Sequence, residues 1–202
     1  MPVHGIVTQL TFEDIGRHLA DHAPRQVEIR PPLRGASVAL TLVPGREDGL
    51  DLLFIKRAEH PGDPWSGQMA LPGGRRDRTD PDLLRTAIRE TNEETGIDLT
   101  SAMLLGALDD LAPVSPHLPP IVVRPFAFAL VHRPVIVRSH EVALHLWVPL
   151  EQLASSLVTA PVHVRGRHFT MPGYQVGPHF IWGMTERIVT TFLGRIGLGE
   201  TR

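Results

Sequence analysis

The chain has 202 residues, of which 42% are hydrophobic and 21% are charged, a composition typical of one globular domain with a buried core. Its formal net charge of -2 at pH 7 excludes the overall basic charge that recruits nucleic acid or anionic membranes. The chain lacks cysteine, which excludes disulfides, thiolate nucleophiles and zinc–thiolate sites and fits a reducing compartment.

Neither end of the chain carries a targeting pattern. Residues 1–5 lack the basic start and apolar run of a signal peptide, and residues 200–202 match no anchor or organelle address. No uninterrupted apolar stretch is long enough to span a bilayer. We therefore expect a cytoplasmic protein that works without a membrane or a nucleic-acid partner.

The first third of the chain predicts one helix, two strands and a loop. Thr11 can cap a helix, which would have an apolar face made by Phe12, Ile15 and Leu19. Residues 36–43 and 52–57 are rich in apolar and β-branched side chains and predict two strands. Residues 60–74 contain too much proline and glycine for either regular structure, so they predict a loop.

A well-marked helix is predicted after this loop. Asp80 is a suitable N-cap, Pro81 suits the first turn, and Asp82 complements the helix dipole. Gly96 is predicted to end the helix in the left-handed conformation. The packed stripe at helical spacing comprises Leu84, Ala87, Ile88, Thr91 and Thr95.

The second half of the chain predicts more strands and two helices. The predicted strands are residues 104–111, 121–131, 135–138 and 142–147, with an edge strand or hairpin over 162–169. A short helix is predicted over 149–157, and a final helix begins near Thr185 and ends at Gly197. The inner face of that final helix comprises Ile188, Val189, Phe192, Leu193 and Ile196. This pattern predicts an α/β fold with a mixed sheet covered by helices on both faces.

Three glutamates mark one face of the central helix. Glu90, Glu93 and Glu94 lie at offsets of three and four residues, off the packed stripe. Because like charges this close repel one another, a cationic partner is expected, and hard divalent cations prefer oxygen ligands. Alone, such a face is usually just solvated, but the preceding Leu-Pro-Gly-Gly loop at residues 71–74 favours a metal and phosphate site.

This region resembles the Nudix box. The residues that match its pattern are Gly74, Asp80, Arg89, Glu90, Glu93, Glu94, Gly96 and Ile97. The spacing from Gly74 to Arg89 is one residue longer than usual, Asp80 stands where glutamate is commoner, and Thr91 occupies a usually aliphatic position.

The resemblance extends over residues 36–193 and is nearest to the coenzyme A pyrophosphatase branch. Residues 66–74, 74–80 and 181–185 are similar to that branch. Asp63 is a departure, because the branch carries an arginine at this position, and an acid there would weaken binding of an anionic substrate.

The resemblance implies a Nudix α/β/α sandwich over residues 36–202, preceded by an N-terminal helical extension over residues 1–35. It implies that magnesium, for which manganese can substitute, is held by Glu90, Glu93, Glu94 and the Gly73 carbonyl. Arg89 would orient a glutamate, since Arg89 and Glu93 are four residues apart. The general base is left open between Glu93 and Glu141.

The expected contacts to the substrate come from the loop, at Trp65, Gly74, Arg75 and Arg76. For Trp65, stacking on the substrate and ordinary packing are equal alternatives. The loop arginines, Arg78 included, would either meet phosphates or be solvated.

The implied activity is magnesium-dependent hydrolysis of a pyrophosphate bond in a nucleoside diphosphate derivative. Coenzyme A and its thioesters are the leading substrates, and the products would be 3′,5′-ADP and 4′-phosphopantetheine or its acyl form. The alternatives are hydrolysis of a nucleotide sugar, a dinucleotide or a nucleoside triphosphate, and a catalytically silent nucleotide sensor. The expected partner is a small nucleotide, and a homodimer is compatible with the sequence.

Overall fold

The computed structural model of the protein describes residues 10–46, 49–63, 65–112, 119–164 and 166–199. The two ends on which the targeting expectations rest, residues 1–5 and 200–202, lie outside these ranges. Within them, no helix combines the length and the hydropathy needed to cross a membrane.

A seven-stranded mixed sheet forms the centre of the fold. Its strands are β1 (Arg34–Pro44), β2 (Leu50–Arg57), β3 (Met69–Ala70), β4 (Gly73–Arg75), β5 (Met103–Ala107), β6 (Ile121–Ala129) and β7 (Val142–Pro149). The order β3-β2-β1-β6-β5 runs through the sheet, with β4 paired to β1 and β7 paired to β2. The pairing of β1 with β6 is parallel and the others are antiparallel.

A second sheet and four helices complete the fold of the described residues. The second sheet is antiparallel and consists of β8 (Leu157–Val164), β9 (Arg167–Val176) and β10 (His179–Trp182). The helices are α1 (Phe12–Ala20), α2 (Leu83–Thr95), α3 (Leu150–Ser155) and α4 (Met184–Arg195).

Alternate residues of the central strands point into two separate cores. Ala39 and Phe128 pack in the core that contains Leu83 and Ala87 of α2. Their neighbours on the strands pack in the other core, which also contains residues of α1 and α4. This arrangement confirms the predicted α/β fold with a mixed sheet between helical layers, because alternation along a strand places successive side chains on opposite faces.

Both end helices match their predictions. Thr11 caps α1, accepting the Asp14 N–H through its side chain while the Asp14 side chain accepts the Thr11 N–H, which is a complete capping box. All five residues of the predicted inner face of α4 are buried. The predicted extension therefore contributes α1, and its residues 1–9 lie outside the described ranges.

The start of α2 differs from the prediction. Asp82 is the N-cap and accepts the Arg85 N–H, so the helix begins two residues later than Asp80 would place it. The Asp80 carboxylate is instead bonded to the side chains of Arg89 and Thr86. Gly96 ends the helix in the left-handed conformation with φ of 73°, as predicted.

Two other segments correct the predicted strands. Residues 135–138 form no strand, because the Val137 and Ser139 N–H groups donate to the carbonyls of Thr95 and Glu94 at the end of α2. Val135 and Val137 are accordingly exposed. Residues 60–74 are not wholly irregular, since they include β3 and begin β4, and residues 162–169 belong to the hairpin that joins β8 to β9.

Candidate active site

The glycine loop is pressed between β1 and α2. A Cβ atom on Gly73 would lie 2.2 Å from the Ser37 carbonyl oxygen, and one on Gly74 would lie 2.5 Å from the Glu90 carboxylate. No side chain larger than hydrogen fits at either position without moving its neighbours. The two glycines thus let the loop approach the carboxylates of α2 directly.

Glu94 is the most buried of the three helix glutamates, with 3% of its surface exposed. Its carboxylate accepts the Gly73 N–H at 2.9 Å. Burial raises the pKa of Glu94 to about 8, and the negative charges of Glu90 and Glu141 add to the rise, against the Gly73 hydrogen bond and the Arg57 charge. Helical spacing placed this side chain off the packed stripe of α2, but the structure shows that it is buried.

Glu90 and Glu93 lie in different environments. Burial raises the pKa of Glu90, opposed by Arg89 and reinforced by the negative charges of Glu93 and Glu141. The Glu93 side chain is 57% exposed and pairs with Arg89 at 2.9 Å. Glu141 follows the segment packed on the end of α2, and its charge acts on both Glu90 and Glu94. The fold therefore concentrates negative charge around the loop.

Arg89 links the loop to the glutamates. Its Nη1 lies 2.9 Å from carboxylate oxygens of both Glu90 and Glu93, as expected for a residue that orients them. Its Nη2 donates to Asp80 at 2.9 Å and to the Arg75 carbonyl at 3.1 Å. The hydrogen bond from Arg89 is the main reason that the pKa of Asp80 falls to about 2. The link through Asp80 was missed in the sequence, where Asp80 was interpreted as a cap.

A cavity of about 630 Å³ opens beside the glycine loop. Its charged lining comprises Arg57, Asp63, Arg75, Glu94 and Glu141, and its other lining includes Trp65, Gly73, Gly74, Met184, Thr185 and Ile188. The cavity thus brings together the loop, the buried glutamate and the beginning of α4.

The predicted substrate contacts divide into two groups. Trp65, Gly74 and Arg75 line the cavity. Arg76 does not, because its guanidinium donates to the carbonyls of Asp80 and Pro81 and is held against the loop. The predicted substrate contact of Arg76 is therefore not supported by the cavity lining and stays a prediction.

Arg57 is a lining residue that was not predicted from the sequence. It is the last residue of β2, directly before the loop, and a charged side chain at a strand end beside a glycine loop is a signal that could have identified it. The start of α4 was noted only for its resemblance, yet the Thr185 hydroxyl donates to the Met69 carbonyl and helps to close the cavity wall.

The donor chemistry of the site fits a hard divalent cation. Among the described residues, no three acidic or histidine side chains already converge as metal ligands, since Glu93 is paired with Arg89 and Glu94 with the Gly73 N–H. However, burial and then the negative charges of neighbouring acids raise the pKa of Glu90 and of Glu94, and a cation beside them would favour the charged forms of both. Carboxylate oxygens are the ligands that magnesium and manganese prefer.

Comparisons with known proteins agree with this geometry. The NUDIX domain family model matches residues 32–170. The chain is 32% identical to human mitochondrial coenzyme A diphosphatase NUDT8 over 181 residues, covering 87% of this chain and 74% of that protein. It is also 32% identical to the uncharacterized Nudix hydrolase NudL of Yersinia pestis over 141 residues, covering 68% of each.

Two further comparisons concern length and fold. An uncharacterized protein of Schizosaccharomyces pombe is 33% identical over 154 residues, which cover 67% of this chain but only 47% of that protein. The crystal structure of a MutT/nudix family protein from Enterococcus faecalis superposes with a TM-score of 0.60 at 17% identity, covering 92% of this chain and 73% of that one. With a family model that spans most of the chain, this protein belongs to the Nudix family of pyrophosphohydrolases.

Proposed function

We propose that this protein hydrolyses the pyrophosphate bond of coenzyme A and its thioesters, with a divalent metal ion as cofactor. The observation that carries the proposal is the meeting of the glycine loop, Glu94 and Glu141 at one cavity. The name of the NUDT8 relatives, coenzyme A diphosphatase, supports the choice of substrate. The cavity volume of about 630 Å³ lies within the range of small-molecule sites.

Glu90, Glu93, Glu94 and the Gly73 carbonyl are the proposed holders of magnesium, with manganese as a substitute. A bound divalent cation offsets the negative charge of phosphate oxygens and makes a water molecule more acidic. Arg89 positions Glu90 and Glu93 through its two short contacts. Arg75 is the proposed cationic contact for phosphate, and Trp65 is the proposed stacking surface.

Glu141 is the proposed general base. Its side chain lines the cavity, so its carboxylate can hold a water molecule there and accept its proton. Glu93 is the weaker candidate, because it does not line the cavity and its carboxylate is paired with Arg89.

A substrate panel tests this function. Purified protein with magnesium is incubated with coenzyme A, acetyl-coenzyme A, ADP-ribose, a diadenosine polyphosphate and a nucleoside triphosphate, and the products are identified by mass. We expect 3′,5′-ADP together with 4′-phosphopantetheine or its acetyl form. Faster turnover of ADP-ribose or of a dinucleotide would show that the preferred substrate is one of the alternative nucleotides and not coenzyme A. Binding without turnover of any substrate would favour a nucleotide sensor.

Compartment and assembly are part of the same proposal. The chain has no cysteine, which is compatible with the reducing cytoplasm as its compartment. A small nucleotide is the proposed partner, and a homodimer is the proposed assembly. Light scattering after size-exclusion chromatography measures the assembly directly, and a monomeric mass would contradict it.

A further inference from the structure

Arg57 and Asp63 form an ion pair in the wall of the cavity. Arg57 at the end of β2 donates to the Asp63 carboxylate at 2.7 Å, and both side chains line the cavity. The pair is partly shielded, with 32% of the Arg57 side chain and 19% of the Asp63 side chain exposed. Asp63 also accepts the Trp65 N–H at 3.1 Å, so the loop backbone fixes its position.

Asp63 is ionised at neutral pH. Burial alone would raise its pKa, but the hydrogen bonds from Arg57 and the Trp65 N–H outweigh burial and hold the pKa of Asp63 below its usual value. The positive charge of Arg75 acts in the same direction. The charged form of Asp63 is therefore stabilised by both Arg57 and Arg75.

This pairing restricts the cations that the cavity can offer. The Arg57 guanidinium is engaged by Asp63, and its Nε is buried with no hydrogen-bond partner among the described residues. Among the described residues of the lining, the acids Asp63, Glu94 and Glu141 outnumber the two arginines. A divalent cation among the glutamates offsets the charge of one pyrophosphate, but it leaves little positive charge for a further phosphate group.

We propose that Asp63 determines substrate specificity by occupying Arg57, so that the cavity accepts a pyrophosphate but does not recognise an additional phosphate monoester on the substrate. The inference deepens the proposed function and rests on it for the choice of substrate. Under it, the preferred class is a nucleoside diphosphate derivative in which the 3′-phosphate of coenzyme A is dispensable. Dephospho-coenzyme A is then cleaved at least as efficiently as coenzyme A.

The first test measures binding without turnover. Isothermal titration of the purified protein compares AMP with 3′,5′-ADP, two ligands that differ by one phosphate monoester. We expect the wild-type protein to bind them with dissociation constants within about threefold of each other. In Asp63→Asn, which keeps the shape of the side chain, we expect 3′,5′-ADP to gain about tenfold over AMP, the size of one new charge-assisted contact.

Three variants make this test specific. Asp98→Asn removes the same charge from an exposed position outside the cavity lining, and it should leave both affinities unchanged. Arg57→Met combined with Asp63→Asn should abolish the gain if Asp63 acts through Arg57. Asp63→Ser also removes the charge and keeps an acceptor for the Trp65 N–H, so it replaces Asp63→Asn if that variant folds poorly. Melting temperatures identify any variant that is misfolded.

Kinetics separate this inference from the proposed function. The ratio of kcat/KM for coenzyme A to that for dephospho-coenzyme A should rise about tenfold in Asp63→Asn. A wild-type protein that prefers 3′,5′-ADP by more than about tenfold, or an Asp63→Asn gain equal for both ligands, overturns the inference. Failure to cleave either coenzyme, with the binding difference retained, overturns the proposed substrate and leaves the role of Asp63 standing.

Discussion

Glu94 shows what residue-level reasoning could and could not predict. The spacing of Glu90, Glu93 and Glu94 predicts that they share a region of the helix. The structure places Glu90 and Glu94 against the glycine loop and links Glu93 to it through Arg89. The burial of Glu94 was not predictable from helical periodicity, because it depends on β4 bringing the Gly73 N–H within 2.9 Å of the carboxylate. A non-local contact thus decides which glutamate is buried.

Replacement of Glu94 by glutamine tests its proposed role as a metal ligand. Glu94→Gln keeps the shape of the side chain and removes its charge, so kcat should fall by about 100-fold or more. In EDTA the variant should melt no lower than the wild-type protein, because glutamine replaces a carboxyl whose ionisation is opposed first by burial and then by the charges of Glu90 and Glu141. Near-normal activity would show that Glu94 is not a ligand, and exposed Glu13→Gln is the control.

Replacement of Glu141 by glutamine tests the proposed base. If Glu141 accepts the proton, Glu141→Gln should lower kcat more than it raises KM. It should also remove the acidic limb of the pH–rate profile, because that limb reports protonation of the base. The profile is measured with saturating magnesium in both proteins. A profile that keeps its acidic limb would show that Glu141 is not the general base and would favour Glu93.

At the scale of elements, the sequence predicts the presence of helices and strands more accurately than the residues at which they begin and end. The final helix was predictable because five apolar residues repeat at helical spacing, and all five are buried, four within α4 and Ile196 at its C-cap. The segment at residues 135–138 was misread, because its valines look like a strand while its backbone is used to bond the carbonyl end of α2. Apolar composition alone does not distinguish these two uses.

We predict that Asp80, in the loop before α2, stabilises the folded protein. The pKa of Asp80 falls from 3.8 to about 2 on folding, chiefly through Arg89, so the unfolded chain binds a proton more readily than the folded protein. The stabilisation is therefore complete above about pH 4 and is lost as the pH falls towards 2. Asp80→Asn should lower the free energy of unfolding by about 2 kcal/mol at pH 7.

Urea unfolding at pH 7 and at pH 2.5 measures this effect. The difference between wild type and Asp80→Asn should shrink at the lower pH, where the wild-type carboxylate is becoming protonated. Asp82→Asn is the matched control, because asparagine caps a helix as well as aspartate does and Asp82 is exposed. A difference that is constant with pH would show that the Arg89 contact does not stabilise the charged form of Asp80.

At the scale of the whole molecule, the layers were predictable and the strand order was not. Patterns of buried strands and amphipathic helices predict a helix-covered mixed sheet. The parallel pairing of β1 with β6 joins residues 87 positions apart, for example Leu40 with Ala127, and no local pattern encodes it. The cavity depends on this non-local assembly, since its wall includes residues of β1, β6 and α4.

The packing of α1 against the rest of the fold predicts that this helix contributes to stability. Residues 1–35 are the proposed extension, yet α1 packs on β5, and Ile15 is fully buried in the same core as Leu105 and Phe192. Ile15→Ala should therefore lower the free energy of unfolding by about 2–5 kcal/mol, the range for deleting a buried aliphatic side chain. Val27→Ala, at a position 39% exposed, should change it by less than about 0.5 kcal/mol.

Whether α1 unfolds with the rest of the protein decides how the Ile15 result is interpreted. If the core is cooperative, calorimetry of the Ile15→Ala protein should show one transition at a lower temperature, and the cavity should lose substrate binding only in that transition. The Phe192 side chain of α4 shares this core with Ile15, which links α1 to the helix whose first turn lines the cavity. A separate early transition that leaves nucleotide binding intact would show that α1 is an independent addition to the catalytic domain.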